Sequence, residues 1–343
     1  MKFSIGYKLP TEGYSTLELV REYLDSVEEV YFALPGQSSG RAPLGRDADW
    51  TPEETRNVLF DELAAVAELG VKPVLLYNAA CYGQDAISKT FAKQIVEETR
   101  YLEKTIRLAC VTTTSPFVAR VLKEAGFAGE IRASVNMKLG TPRAMEPLLE
   151  MFDGFYLQRD RQRNLAYVKS MYEWTHARGK RLYLLVNSGC LRDCPFQAFH
   201  DNLVAHEAEI AKQNNPPSRF PAPCWEFLSK PENRRRILQN TWIRPEDLKQ
   251  YVPYCDGMKL ATRMHDNPRL VLHAYSTGKS PGNLLDLTEP SYSLLMKGEI
   301  LDPGRFPDDW FETTRCCDGR CDMCDYCRNI AERAFVRVPD FYE

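Results

Sequence analysis

A chain of 343 residues, 44% hydrophobic and 27% charged, is long enough for one large core and has the make-up of an ordinary globular protein. Its formal net charge of −3 leaves no global basic field to draw it to nucleic acid or a membrane surface, so an RNA substrate is neither supported nor excluded. The opening MKFSIGYKLP is too short and polar for a signal peptide, and no run of about 18 apolar residues occurs, so a cytoplasmic protein without a membrane span is expected.

In chain order, short β-like runs alternate with longer amphipathic ones. Strands are predicted over residues 2–7, 29–33, 73–77, 108–112, 131–135, 154–157, 181–186 and 257–261. Between them helices are predicted over 16–24, 52–69, 85–105, 116–125, 142–151 and 165–178. Thr51-Pro52 and Ser115-Pro116 read as helix starts, a capping hydroxyl followed by proline in the first turn. Gly70, Gly126 and Gly179 read as helix ends, where a left-handed residue costs least. Eight such β-runs predict an α/β fold, a (β/α)8 TIM-type barrel. An open doubly wound sheet is the alternative, but Lys8-Leu9-Pro10 is not the glycine-rich loop such a sheet usually carries after its first strand. The rhythm breaks after the seventh strand with a long insertion, 188–243, that holds a helix over 197–212 and a proline-rich turn around Cys224. Residues 1–277 are therefore assigned to the barrel, its last helix near 268–275, and residues 278–343 to a cysteine-rich C-terminal appendage.

In a reducing compartment, eleven cysteines argue for metal ligation rather than disulfides. In a barrel, residues that follow each strand share the catalytic face. Cys190 and Cys194 fall there after the seventh strand, Cys224 is returned there by the insertion, and Cys81 follows the third strand. A 4Fe–4S cluster takes four thiolates, and zinc accepts the same four; placement on the catalytic face favours iron–sulfur, with Cys190, Cys194, Cys224 and Cys81 as ligands. Were Cys81 not a ligand, one iron would be open to substrate. Near the C-terminus, Cys317-x3-Cys321-x2-Cys324-x2-Cys327 is a second metal-site signal, open between a zinc staple and a second 4Fe–4S cluster. Its first three cysteines imitate the spacing of radical enzymes that cleave S-adenosylmethionine, but those carry it after the first strand, so the match is taken as coincidence. Cys110 reads as a small buried hydrophobe, and Cys255, just before the eighth strand, falls at the opposite end of the barrel.

Polar residues at the strand ends supply a pocket. Arg159 and Arg263 suit a carboxylate or phosphate clamp. Lys259, inside the eighth strand, is expected to face the mouth and to need a partner such as Asp160. Asn78, Asn136 and Asn187 end three strands and serve either substrate or the turn backbone. The candidate catalytic set is Asn187, Arg159, Lys259 and Arg263, acting on a small anionic substrate or donor, with an electron-transfer partner compatible with the cluster. Of the histidines, His200 lies nearer the cysteines than His206, and Arg234-Arg235-Arg236 reads as a solvated helix face. Neither a nucleophile-elbow glycine–serine motif nor a histidine–glutamate metalloprotease motif occurs.

The segments VEEVYFALPG, ASVNMKL, FYLQRD and LVNSGCLRDCPFQAFH, then IRPEDLKQY followed by GMKLATR, occur in this order along about residues 1–276. Together they resemble the peptidase U32 family, or collagenase-like proteases, and especially its anaerobic iron–sulfur members. GMKLATR, with Lys259 and Arg263, looks like the family's lysine-x-x-x-arginine strand. The resemblance implies a barrel with a cysteine-bound 4Fe–4S cluster and oxygen-independent hydroxylation, of a ubiquinone precursor or of RNA bases, with prephenate implicated as an oxygen donor. Two departures stand out: Lys249 follows Asp247-Leu248 where familiar members carry a cysteine, and the cysteine-rich tail is not a feature of the best-known relatives. An iron–sulfur enzyme is thus the leading expectation, a zinc-stabilised binding or assembly protein without catalysis the alternative, and peptidase action the last choice.

Overall fold

The computed structural model describes residues 1–41, 44, 50–210, 212, 222–296 and 298–338. Eight parallel strands close a barrel in sequence order: β1 (Phe3–Gly6), β2 (Val27–Phe32), β3 (Lys72–Tyr77), β4 (Cys110–Thr113), β5 (Glu130–Ala133), β6 (Gly154–Tyr156), β7 (Arg181–Leu185) and β8 (Gly257–Lys259). The ring is sealed where Phe3 and Ser4 pair with Met258 and Lys259. Helices α1 (Thr16–Glu22), α2 (Pro52–Glu68), α3 (Lys89–Ile106), α4 (Pro116–Glu124), α5 (Pro142–Met145) and α6 (Leu165–His176) fill the crossovers up to β7. The period of two along each strand sorts the side chains. Val74 and Leu76 join Tyr31, Ala33 and Cys110 in one interior cluster, and Tyr183 and Leu185 join Val135 and Tyr156 in another. Leu75, Tyr77, Leu182 and Leu184 instead enter the large cluster shared with the helices.

Local chemistry explains the helix ends. Thr51 and Glu54 form a reciprocal capping box at the start of α2, and Ser115 caps α4 ahead of Pro116. Gly126 follows α4 at φ 74°, a left-handed conformation in which an ordinary side chain would be strained. The helix expected over 142–151 is only α5 plus a 3-10 turn, Glu146–Leu148, because Pro147 has no N–H to continue the α ladder.

The barrel floor is polar. Arg132 donates to both carboxylate oxygens of Glu29, at 2.8 and 2.6 Å, and to Glu130 at 2.8 Å, while lying 4.0 Å over the Tyr183 ring. This network closes the end of the barrel opposite the mouth.

Between β7 and β8 the insertion carries α7 (Gln197–Ala205), α8 (Glu207–Ile210), α9 (Pro223–Ser229) and α10 (Arg235–Leu238). The expected helix over 197–212 is broken at His206, whose φ of −108° and ψ of 12° are not helical. Residues 216–221 of the expected proline-rich turn, and residue 211 of that expected helix, lie outside the described residues. After α11 (Pro268–Thr277), the tail adds β9 (Glu299–Leu301), α12 (Trp310–Thr314), α13 (Tyr326–Ala334) and β10 (Phe335–Arg337), with β9 and β10 antiparallel. Residues 278–296 and 298–338 pack onto the barrel and insertion rather than standing apart. Trp310 stacks on Trp242 at 6.3 Å and 15°, Arg163 lies 5.0 Å over its ring, and Leu284, Leu285 and Ile330 enter the main core cluster. Burying a side chain such as Trp310 stabilises by roughly 2–3 kcal/mol or more. The arginine run 234–236 is half-buried rather than a solvated face, since Arg234 pairs with Glu299 of β9 and Arg236 acts on Cys321 in the tail. Among the described residues, no helix is long and apolar enough to cross a membrane.

Candidate functional site

The strand ends open on a pocket lined by Tyr31, Asn78, Asn136, Arg159, Lys259, Arg263, Arg41 and Glu289, among others. Four of these groups are cationic, in a chain of net negative charge. The single acid, Glu289, has its carboxyl pushed up by burial, against the pull of Arg41. Gly40 lets the chain pass close to this pocket: a Cβ there would lie 2.5 Å from Asn136 Nδ2, and its N–H donates to Asn78 Oδ1 at 3.0 Å. Arg263 donates to Ser39 Oγ at 3.1 Å and keeps a buried Nε with no partner.

Lys259 is not paired with Asp160. That carboxylate accepts instead from Gln158 Nε2 and Asp193 N, each at 2.8 Å, because it sits on the turn after β6 and faces the strand-seven loop. Lys259 crosses the mouth to rest 3.7 Å over the Tyr31 ring. Burial, and then the nearby Arg263 charge, push its ammonium down to about 7.

Asn187, also expected in the site, is wholly buried and bonded to the main chain. Its Nδ2 donates to Ala261 O at 3.2 Å and Leu287 O at 3.1 Å, and its Oδ1 accepts from Ala261 N at 2.6 Å. It ties the ends of β7 and β8 to the tail segment that delivers Glu289. Gly189 completes that tie: its N–H donates to Glu289 O at 2.9 Å, and a Cβ would meet Pro290 O at 2.4 Å.

The loop after β7 brings Cys190 and Cys194 together with Cys224 of α9, and the three act electrostatically on one another and on Tyr292. Tyr292, from the tail, is buried and packs edge-on against Trp225 at 6.0 Å. Burial, and the neighbouring thiols after it, push Cys224 up. Arg159 joins this group to the pocket: Nη1 donates to Cys190 Sγ at 3.2 Å, while Nη2 is buried with no partner. His200 lies near enough to Arg41 and Arg159 to feel their charge. Cys81 is not brought to this group; it sits beside Gly83 and His206.

A second thiol group forms in the tail. Cys317, Cys321 and Cys324 all act on Cys327, and burial pushes that thiol up to about 11. Arg192, between Cys190 and Cys194 in sequence, donates to Cys317 Sγ at 3.5 Å, so one loop touches both groups. Asn164 and Leu165 hold the tail down through Cys317 O and Arg315 O. Cys110 is buried inside the barrel, and Cys255 lies ahead of β8 with its thiol on Tyr251 O.

Among the described residues, no three His, Cys, Asp or Glu side chains close on a single point as one metal ion requires. In a 4Fe–4S cluster each thiolate binds a different iron, so its ligands stand apart. Cys190, Cys194 and Cys224 are three thiols that act on one another, with Arg159 donating to one of them. Tyr292, Glu289 and the Arg192 link were missed by sequence reasoning. They come from distant segments, and no spacing motif marks them.

No family model matches the sequence. Over 159 residues the chain is 31% identical to the uncharacterized protease MJ1657 of Methanocaldococcus jannaschii; the overlap takes in 45% of this chain and 46% of that protein, so the chain matches less than half of the relative's length. Among solved structures, a U32 peptidase, Mk0906, aligns with a TM-score of 0.54 at 14% identity, over 76% of this chain and 93% of that one. That likeness is one of fold. A GH113 β-1,4-mannanase reaches a TM-score of 0.37 at 12% identity over 76% of this chain and 87% of its own, and carries no argument.

Proposed function

We propose that this chain belongs to the U32 family and is an iron–sulfur barrel enzyme that binds a small anion beside its cluster and carries out an oxygen-independent redox modification, hydroxylation being the form that the resemblance of its sequence segments suggests. The observation that carries this reading is Arg159, with one nitrogen on the Cys190 sulfur and another buried, unpartnered and available to the mouth pocket. A guanidinium so placed donates to the Cys190 sulfur and offers a charge-assisted hydrogen bond to an anion next to it.

Cys190, Cys194 and Cys224 would hold the cluster, which when bound supplies one-electron redox chemistry and, where no fourth thiolate is present, an iron position open to substrate. Arg159, Arg263 and Arg41 bind the anionic end of the substrate. Lys259, its ammonium brought down to about 7, gives or takes a proton at Nζ. Asn187 keeps the β7 and β8 rims in register through its three main-chain bonds. The tail thiols Cys317, Cys321, Cys324 and Cys327 take a second metal centre, either zinc as a staple or a second cluster served by an electron-transfer partner.

The test is anaerobic purification of Cys190→Ala, Cys194→Ala and Cys224→Ala. Each should lose the iron and sulfide of one cluster while the tail centre stays loaded. Full iron and sulfide in any of the three would remove that residue from the ligand set. If the protein carries only zinc, the barrel becomes the scaffold of a binding protein and the redox reading fails.

A further inference from the structure

Outside the mouth pocket, another constellation forms where two excursions meet. Cys81 lies in the turn after β3, and His206 closes α7 in the insertion. Gly83 N–H donates to Cys81 Sγ at 3.3 Å. The His206 ring lies against the same glycine, its Cε1 3.7 Å from where a Gly83 side chain would begin. The imidazole and the Cys81 sulfur thus flank the same glycine and act electrostatically on one another, and the imidazole Nδ1 pairs with Glu209 Oε2 at 2.9 Å. A thiol, a base beside it and an acid orienting that base are the parts of a nucleophilic centre.

The geometry points to a second active centre in which Cys81 is a nucleophilic thiolate, His206 its acid and base, and Glu209 a positioning residue, for acyl transfer from a thioester or activated ester. The Gly83 N–H, and then His206, hold the Cys81 thiol below its ordinary range, while Cys81 and then Glu209 hold the imidazole above its own. The pair is no buried strut, because the His206 and Glu209 side chains are 31% and 71% exposed. Sulfur attacks the acyl carbon, the carbon–sulfur bond forms, and the bond to the leaving group breaks as that group departs with the electron pair. The His206 proton goes to the leaving group. Water then attacks the thioester, His206 takes its proton, and the carbon–sulfur bond breaks to return the thiolate. No oxidant or reductant is needed. The Gly83 N–H is committed to sulfur rather than to an oxyanion, which favours acyl donors with easy leaving groups over peptide amides.

The experiment uses the full chain, purified anaerobically, with p-nitrophenyl acetate as probe and iodoacetamide as a thiol reporter, both read by site-resolved mass spectrometry. The acetyl group should be found on Cys81, with turnover of the ester. Cys81 should also alkylate at least about 10-fold faster than Cys316, although Cys316 is exposed and Cys81 only partly so. His206→Gln should slow Cys81 acetylation by about 100-fold or more. Glu209→Ala should slow turnover by about 10-fold with KM unchanged, and Glu209→Asp should recover part of the loss. Alkylation of Cys81 no faster than that of Cys316, or acetylation unchanged in His206→Gln, overturns the proposal.

Discussion

Replacing Lys259 by methionine should make the protein more stable while weakening its hold on anions. The side chain lies over Tyr31 among Arg41, Arg159 and Arg263, and no hydrogen bond or ion pair to an acid offsets its charge among the described residues. A fall in its ionisation from 10.5 to about 7 corresponds to at most ~5 kcal/mol against the charged form. Lys259 is reachable from the mouth, and the cation–π contact returns about 1 kcal/mol, so a gain of roughly 1–3 kcal/mol is expected for Lys259→Met. The pH dependence fixes the sign. The folded value lies below the unfolded one, so folding releases a proton between about pH 7 and 10.5, and wild-type stability rises with pH across that window. The methionine variant lacks this slope. Its advantage should therefore be largest below about pH 7 and shrink toward pH 10. Urea unfolding of both proteins at matched metal content, at several pH values, measures the difference. A variant less stable than wild type at pH 6, or a gap that does not change with pH, would refute the picture of Lys259 as an uncompensated cation.

At the other end of the barrel, Arg132→Met should cost about 3–5 kcal/mol, read as a lower urea midpoint, because it leaves Glu29 and Glu130 without their buried partner. Arg159→Met should weaken binding of a small dicarboxylate such as succinate about 10- to 100-fold by calorimetry, the loss of one charge-assisted hydrogen bond, while keeping most of the iron. The double change Cys317→Ser and Cys327→Ser should remove the tail metal, lower the melting temperature and leave the metal at Cys190, Cys194 and Cys224 in place. Metal content unchanged by that pair would detach the tail cysteines from any metal role.

The barrel was legible because its strands are short, apolar and separated by well-capped helices. All eight predicted strands coincide with observed ones to within two residues. Once the strands had addresses, the loop after β7 placed Cys190 and Cys194 on the rim, and the insertion returned Cys224 to them. What sequence could not give was the pairing of side chains across distant loops. Cys81 shares the rim with the other three cysteines, but the β3 turn carries it to His206 instead, and a rim address does not fix a direction. Lys259 was expected to seek Asp160, yet a residue at the end of β8 looks across the ring to Tyr31 on β2. Tyr292 and Glu289 entered the site from a tail that sequence treated as a separate appendage. Its packing depends on Trp310 finding Trp242 and Arg163, contacts that no local pattern encodes.

The measurement that bears most directly on the redox reading is iron, sulfide and zinc content of the wild-type protein purified without oxygen, taken with its visible spectrum. Brown protein with about four irons and four sulfides per chain, or about eight with the tail filled by a second cluster, is the result expected of thiols gathered beside an anion pocket. Colourless protein with zinc alone would contradict it.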